Sequence, residues 1–268
     1  MKNDIFDKVF TSKKYPIWIY WDSGWDNAPA LSQICAKSWQ MYHPVNSIFE
    51  LKKINWYDAV DMVDLDRYKN KKIDPTAMSD IIRLEIVNKY GGLWVDSTVL
   101  CLKPLDSWLF DLIEQHQFWS YNGHVRNAKH IINSSWFIAS SLDGSYVMEK
   151  WTESLHNYWH DRTSKDTYFW VFFLFAKLYY TDPVFKRLWD NTPHLDAYGK
   201  EDGPHFFAPY LDFLFGPLTK KAEEYIENIS RKTNVLKLTR HRSRGYTEES
   251  LYDNTTAINA LLKENKLL

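Results

Sequence analysis

Between Asp74 and Leu102 the chain reads DPTAMSDIIRLEIVNKYGGLWVDSTVLCL, and these residues restrict the possible folds more than any other stretch. Asp74 can cap a helix, Pro75 fits its first turn, and Met78, Ile81, Ile82, Leu84 and Val87 supply a broad apolar face. Gly91 can end that helix in the left-handed conformation. An apolar run, Leu93–Val95, follows and delivers a carboxylate, Asp96, straight out of what reads as a buried strand. The run resumes after Asp96, so the strand is expected to break there and continue. A chain that turns from helix into strand across two glycines points to an α/β sheet, and ligands of open α/β sheets bind beyond the carboxyl ends of the strands. Asp96 therefore stands at a ligand position. The plainer reading is a solvated strand-end or turn aspartate.

The remaining pattern agrees with alternating strands and helices. YPIWIYW, 15–21, is β-branched and aromatic and runs into Asp22-Ser23-Gly24, a strand followed by a loop. In 30–43, Leu31, Ile34, Cys35, Ser38 and Trp39 fall at helical spacing, and Pro44 stops the helix. SIFELKKI, 47–54, reads as a second strand and SSWFIAS, 134–140, as a further one, with a helix at 107–116 between Leu102 and that strand. TNVLKLTRH, 233–241, reads as a last strand, and 245–268 as a terminal helix with weak constraints. No internal repeat or low-complexity linker divides the 268 residues, so one domain, 1–268 with a helical tail at 245–268, is expected.

Composition excludes some classes of function. A net charge of −1 leaves no basic field for nucleic acid, although KNKK (69–72) and RHRSR (240–244) are local basic clusters that can meet phosphate or anionic lipid. The aromatic fraction, 17%, is high; such rings build cores and also stack on the apolar faces of sugars and bases. Cys35 and Cys101 lie in no metal-ligand spacing, and MKNDIFDKVF has no signal-peptide apolar core, so a reduced, cytoplasmic location is expected. The most apolar stretch, 168–180, is too short to span a bilayer and contains Lys177; it reads as a buried helix or as a surface that meets something apolar. GxSxG, P-loop, GxGxxG and HExxH motifs are absent.

Three places carry candidate chemistry. Asp96 with the hydroxyls of Ser97 and Thr98 could hold Mg²⁺ or Mn²⁺ on a diphosphate, because hard cations take one or two carboxylates plus phosphate oxygens. Ser79, Asp80 and Arg83 can share one helix edge, either as a surface ion pair or as a polar edge facing the ligand cleft. Trp21-Asp22-Ser23-Gly24 follows the first strand, where a base or ribose could sit, and Asp202-Gly203-Pro204-His205 forms a loop whose histidine is either structural or a third metal contact.

The stretch MSDIIRLEIVNKYGGLWVDSTVLCLKPLD resembles the core of the bacterial capsular polysaccharide synthesis proteins. These belong with the DXD-containing sugar transferases, which resemble the yeast initiating mannosyltransferases and the large clostridial glucosylating toxins. YPIWIYWDSG, CAKSWQMYHP and NVLKLTRH are similar to further family segments and occur in the expected order, so the resemblance spans most of 15–241. It implies a GT-A type, Rossmann-like nucleotide-sugar-binding domain with helical additions. The activity implied is transfer of a hexose, UDP-linked by default, to a glycan acceptor in capsular or lipopolysaccharide-type synthesis. The implied acceptor is a glycan or a lipid-linked glycan, the latter with peripheral association at the inner membrane face, and the implied outcome is retention of the anomeric configuration. Implied catalytic residues are Asp80 and Asp96. Implied donor-binding residues are Tyr20, Trp21, Ser79, Asp80, Arg83, Gly92, Ser97, Thr98 and Gly203, and Asp96 and His205 would hold Mn²⁺ or Mg²⁺. The chain departs from the family pattern in one respect: Asp-x-Asp reads Asp96-Ser97-Thr98 here, and one carboxylate fewer shifts a metal onto diphosphate, water and His205. A sugar- or nucleotide-binding protein without turnover is the competing class. A glycoside hydrolase would need two opposed carboxylates, and none are placed.

Overall fold

A computed structural model describes residues 14–123, 130–208 and 211–268. The N-terminal stretch MKNDIFDKVF, read above for a signal peptide, lies outside the described residues. Strand β1 (Tyr15–Tyr20) pairs in parallel with β2 (Phe49–Ile54) on one side and β3 (Gly92–Val95) on the other. β6 (Asn133–Ser140) runs antiparallel to β3, and β5 (Phe118–Asn122) pairs antiparallel with β6, giving the order β2-β1-β3-β6-β5. This mixed α/β sheet is the Rossmann-like architecture expected.

The expected resumption after Asp96 is real, but it leaves the sheet. The Asp96 carbonyl accepts from Val99 N at 2.9 Å, and the turned chain forms β4 (Val99–Cys101), which pairs antiparallel with β7 (Val235–Lys237) in a separate two-stranded ribbon.

Both faces of the main sheet are buried, and the period-2 alternation of strands sorts their side chains. Trp18, Tyr20, Trp94 and Ile138 join a core with helices α3 (Pro75–Tyr90), α5 (Tyr146–His160), α6 (Trp170–Thr181) and α7 (Pro183–Asp190). Ile17, Ile19, Leu93, Val95 and Phe137 face the other way, onto Trp39 of α1 (Ala30–Tyr42) and Ile113 of α4 (Phe110–His116). The acidic, aromatic segment after β2 forms a short helix, α2 (Trp56–Met62), closed by a reciprocal Asn55–Asp58 capping box. The apolar 168–180 stretch combines both of its readings: in α6, Trp170, Val171 and Phe175 are buried while Phe173 stays exposed.

A third core joins the other side of α1 to the chain's end. Leu31, Ile34 and Cys35 pack with Leu100, Leu236, helix α8 (Lys220–Lys232) and helix α9 (Ala257–Glu264). The terminal residues are therefore more constrained than their sequence pattern implies: Ile258, Leu261 and Leu262 are fully buried. Among the described residues no helix is long and apolar enough to cross a membrane.

The two glycines decide how α3 meets β3. Asp74 caps the helix by accepting from Thr76 N and Ala77 N, and Gly91 ends it at φ 64°. Gly92 follows at φ 84°, and a Cβ there would stand 2.4 Å from the Pro16 carbonyl oxygen on β1. Gly92→Ala is therefore expected to cost about 3 kcal/mol or more, combining the left-handed penalty with an overpacked strand contact. Urea unfolding of the variant measures it, and an unchanged midpoint would contradict this account.

Candidate functional site

From Gly91 the helix runs back about 12 Å to Arg83, while β3 runs forward about 13 Å to Asp96, so the two residues come level. Arg83 then serves both acids at once. Its Nη1 pairs with Asp80 Oδ1 at 3.1 Å, and its Nη2 donates to Asp96 Oδ1 at 3.0 Å. Nη1 also donates to the carbonyl and hydroxyl of Ser135, at 2.9 and 2.8 Å, which ties the guanidinium to the start of β6. The plane of such a fork suits two carboxylates in fixed directions. The helix-edge residues Asp80 and Arg83 are thus not a surface pair: they are 7% and 6% exposed.

Asp96 sits at the carboxyl end of β3 with its backbone N–H donating to the Trp136 carbonyl at 3.0 Å. Trp94 Nε1 adds a bond to Oδ1 at 3.2 Å. On its other oxygen, Oδ2, Asp96 meets Lys237 Nζ at 3.1 Å, and the same ammonium donates to Thr98 Oγ1 at 2.6 Å. In the sequence, NVLKLTRH shows a strand pattern and no signal of a role for its lysine. Nothing local to β7 announces that Lys237 reaches a carboxylate on a distant strand. Ser135 was likewise read only as strand.

Burial and charge act differently on the two acids. Burial raises the pKa of Asp80, Arg83 works against it, and the neighbouring charge of Asp96 adds to the rise, so the group titrates at about 6. The Trp170 indole N–H lies near Asp80 and lowers it slightly, but completes no hydrogen bond. Burial also pushes Asp96 upward, but Lys237 and then Arg83 more than reverse this, and its carboxyl titrates below the usual carboxylate value. Two neighbouring acids, one on α3 and one at the end of β3, with pKa values driven apart make this cluster a candidate site.

The other expected residues fall at various distances from this cluster. Ser97 is half-buried and meets the Ser32 hydroxyl of α1 at 3.4 Å. Tyr20 lies in the core with its ring 6.2 Å from Trp94 and donates to Asp22 at 2.8 Å, so it supports the site from behind. Trp21 follows β1 at the same end of the sheet as Asp96, with the Arg240 guanidinium 4.8 Å from its ring centroid. Ser79 is half-buried, without a partner among the described residues. Gly92 is corrected: it begins β3, at the opposite end of the strand from Asp96, and its bare Cα serves the β1 contact instead of a donor.

Gly203-Pro204-His205 is drawn in by β7. Lys237 N donates to the Pro204 carbonyl at 2.7 Å, and Phe206 N donates to the Lys237 carbonyl at 3.0 Å. Gly203 fits a turn in which a Cβ would meet Gly199 N at 2.2 Å. His205 is 7% exposed, and its Nδ1 accepts from Phe207 N at 3.2 Å. Burial and then Lys237 push its pKa down to about 3, so the ring is neutral with its proton on Nε2.

Mn²⁺ or Mg²⁺ would need free oxygen or imidazole lone pairs here. Both Asp96 oxygens already face cations, the Thr98 hydroxyl receives Lys237, and His205 presents N–H and not a lone pair. Among the described residues no three His, Cys, Asp or Glu side chains are grouped to hold a metal ion. This donor set does not fit a divalent ion.

The family model for capsular polysaccharide synthesis proteins matches residues 2–255. The chain belongs to that family. As a capsular polysaccharide synthesis protein it is also similar to the O-glycosyltransferase PaGT of Phomopsis amygdali, at 23% identity over 170 residues. That match takes in 58% of this chain and 41% of PaGT, so the chain spans well under half the length of that relative.

The histidines make acid stability a test of the site's electrostatics. His205 binds its proton at about pH 3 when folded and near 6.5 when unfolded, so stability falls as pH drops through that interval. His43 and His194, both lowered chiefly by burial, act in the same direction. Asp80 opposes them: its folded pKa of about 6 exceeds the ordinary 3.8, so acidification between those values favours the folded state. Asp80→Asn is therefore expected to steepen the loss of urea resistance between about pH 6 and about pH 4. An identical pH profile in wild type and variant would show that Asp80 titrates normally.

Proposed function

We propose that this protein is a glycosyltransferase of GT-A type that moves a sugar from a nucleotide-sugar donor to a glycan acceptor in capsular or lipopolysaccharide-type synthesis. The observation that carries the reading is the Asp80–Arg83–Asp96 cluster, buried at the carboxyl end of a strand in a Rossmann-like sheet. Family membership and the likeness to an O-glycosyltransferase support it.

In this reading Asp80 and Asp96 accept hydrogen bonds from donor-sugar hydroxyls, and Arg83 holds both carboxylates in register. Their burial strengthens each bond they make as positive charge grows on the anomeric carbon. Trp21 and Arg240 flank the place for the base. Tyr168, 63% exposed yet close enough to feel the charges of Asp80 and Asp96, opens the acceptor side together with exposed Phe169 and Phe173. Such a ledge suits the apolar faces of a glycan, and the apolar carrier of a lipid-linked one at a membrane surface. In keeping with the family resemblance, transfer retains the anomeric configuration by front-side attack. The bond from the anomeric carbon to the phosphate oxygen breaks with its electron pair on that oxygen. The acceptor hydroxyl oxygen bonds to the same carbon, and its proton passes to the released diphosphate.

A panel of nucleotide sugars, UDP-glucose and UDP-galactose first, tests the reading by release of nucleoside diphosphate in the presence of glycan acceptors. The expected result is turnover with one donor family, falling as pH drops through about 6 because Asp80 must be ionised. Nucleotide-sugar binding without turnover of any donor would favour the binding-protein class instead.

A further inference from the structure

The transferase reading raises a question that the Asp96-Ser97-Thr98 sequence makes acute: what offsets the charge of the departing diphosphate? Threonine stands where the motif's second acid would. In the fold its hydroxyl is not idle, because Lys237 Nζ lies between Asp96 Oδ2, at 3.1 Å, and Thr98 Oγ1, at 2.6 Å. A cation bridging the first and third positions of the motif is what a divalent ion would be if both positions were acids. Here the cation is a side chain.

Its placement is built in. Lys237 pairs with Val99 across the β4–β7 ribbon, so the strand that follows the motif's turn also fixes the lysine opposite it. Both main-chain groups of Lys237 are tied to the 204–206 segment, and its side chain is 13% exposed. An ammonium has three N–H donors, and two are used; the third has no partner among the described residues. Asp96 remains 24% exposed, so the pair is open to a ligand. His205 adds a neutral N–H donor beside it, and a metal brought to Asp96 would be repelled by both Lys237 and Arg83.

We infer that Lys237 takes the place of the divalent cation, donating to the diphosphate of the bound nucleotide sugar and to the leaving diphosphate, so that this transferase works without a metal ion. The inference rests on the transferase reading, and the experiment separates the two.

The 268-residue protein is titrated calorimetrically with UDP, GDP, CDP and dTDP in turn, in EDTA and in MnCl₂. One diphosphate is expected to bind in EDTA with an affinity within about twofold of that in Mn²⁺. Lys237→Met is expected to weaken it at least about tenfold, and Lys237→Arg to keep most of it, with unchanged far-UV circular dichroism. Lys237→Met combined with Thr98→Asp, which restores a second acid, is expected to make binding Mn²⁺-dependent. Binding by wild type only when Mn²⁺ is present would overturn the inference and leave the transferase reading intact. Undiminished binding by a folded Lys237→Met would also overturn it. No binding of any diphosphate in either condition would overturn both. The wild-type comparison decides the matter even if Lys237→Met fails to fold.

Discussion

Replacing Asp96 by alanine is expected to lower sugar transfer by about three orders of magnitude, the scale of losing one preorganised electrostatic contact to the transition state. The carboxylate is held by Arg83, Trp94 and Lys237, so its direction is set before substrate arrives. Reorganisation during the reaction is therefore small, and the loss should appear mainly in kcat and not in KM. Because alanine also strips two cations of a counter-charge, Asp96→Asn is the necessary companion. The amide keeps the shape and the bonds to Arg83 and Trp94 but cancels the charge. Both variants are expected to be inactive, with Asp96→Asn closer to wild type in Tm. Near-normal turnover in either would remove Asp96 from the site.

The largest stability effect is expected at Arg83. Arg83→Met leaves Asp80 buried without its closest cation, and breaking a buried pair from one side costs about 3–5 kcal/mol. For a chain of this size that corresponds to a Tm lower by roughly 10 °C. The sign of the pH dependence follows from the pair. Removing Arg83 takes away the largest influence that lowers the Asp80 pKa, so burial and the like charge of Asp96 carry it further above about 6. The variant should therefore recover part of its deficit as pH falls from the raised value towards about 6, where Asp80 is protonated in the variant but still ionised in the wild type. Adding Asp80→Asn should recover part of it at neutral pH, because the orphaned charge is gone. A double variant as unstable as the sum of the two single ones would show that Arg83 acts through Ser135 and Trp94 alone, with no coupling to Asp80.

Much of the site's framework was readable from short-range rules. Capping by Asp74, termination at Gly91 and the apolar run into Asp96 each need only neighbouring residues, and the structure follows them closely. The helical spacing of Asp80 and Arg83 placed both on one edge, although it left open whether that edge faced solvent. β5 was not anticipated: Asn122-Gly123 marks a turn at its end, but FWSYN is short, lacks a clean alternation, and has all but its last residue buried. Gly92 was misassigned because a glycine beside a motif looks the same whether it admits a ligand or a neighbouring strand. Only the Pro16 contact distinguishes these.

Helix, turn and strand from Asp74 to Val95 are local consequences of capping, backbone freedom and side-chain period, so residues close in sequence suffice to dictate them. The charge state of Asp96 is a different kind of property. It depends on Lys237, whose ammonium bonds to Thr98 across 139 positions of chain, and on how deeply packing removes water from the pair. Electrostatic energies follow distance and dielectric in space, and neither is defined until β4 has left the sheet and found β7.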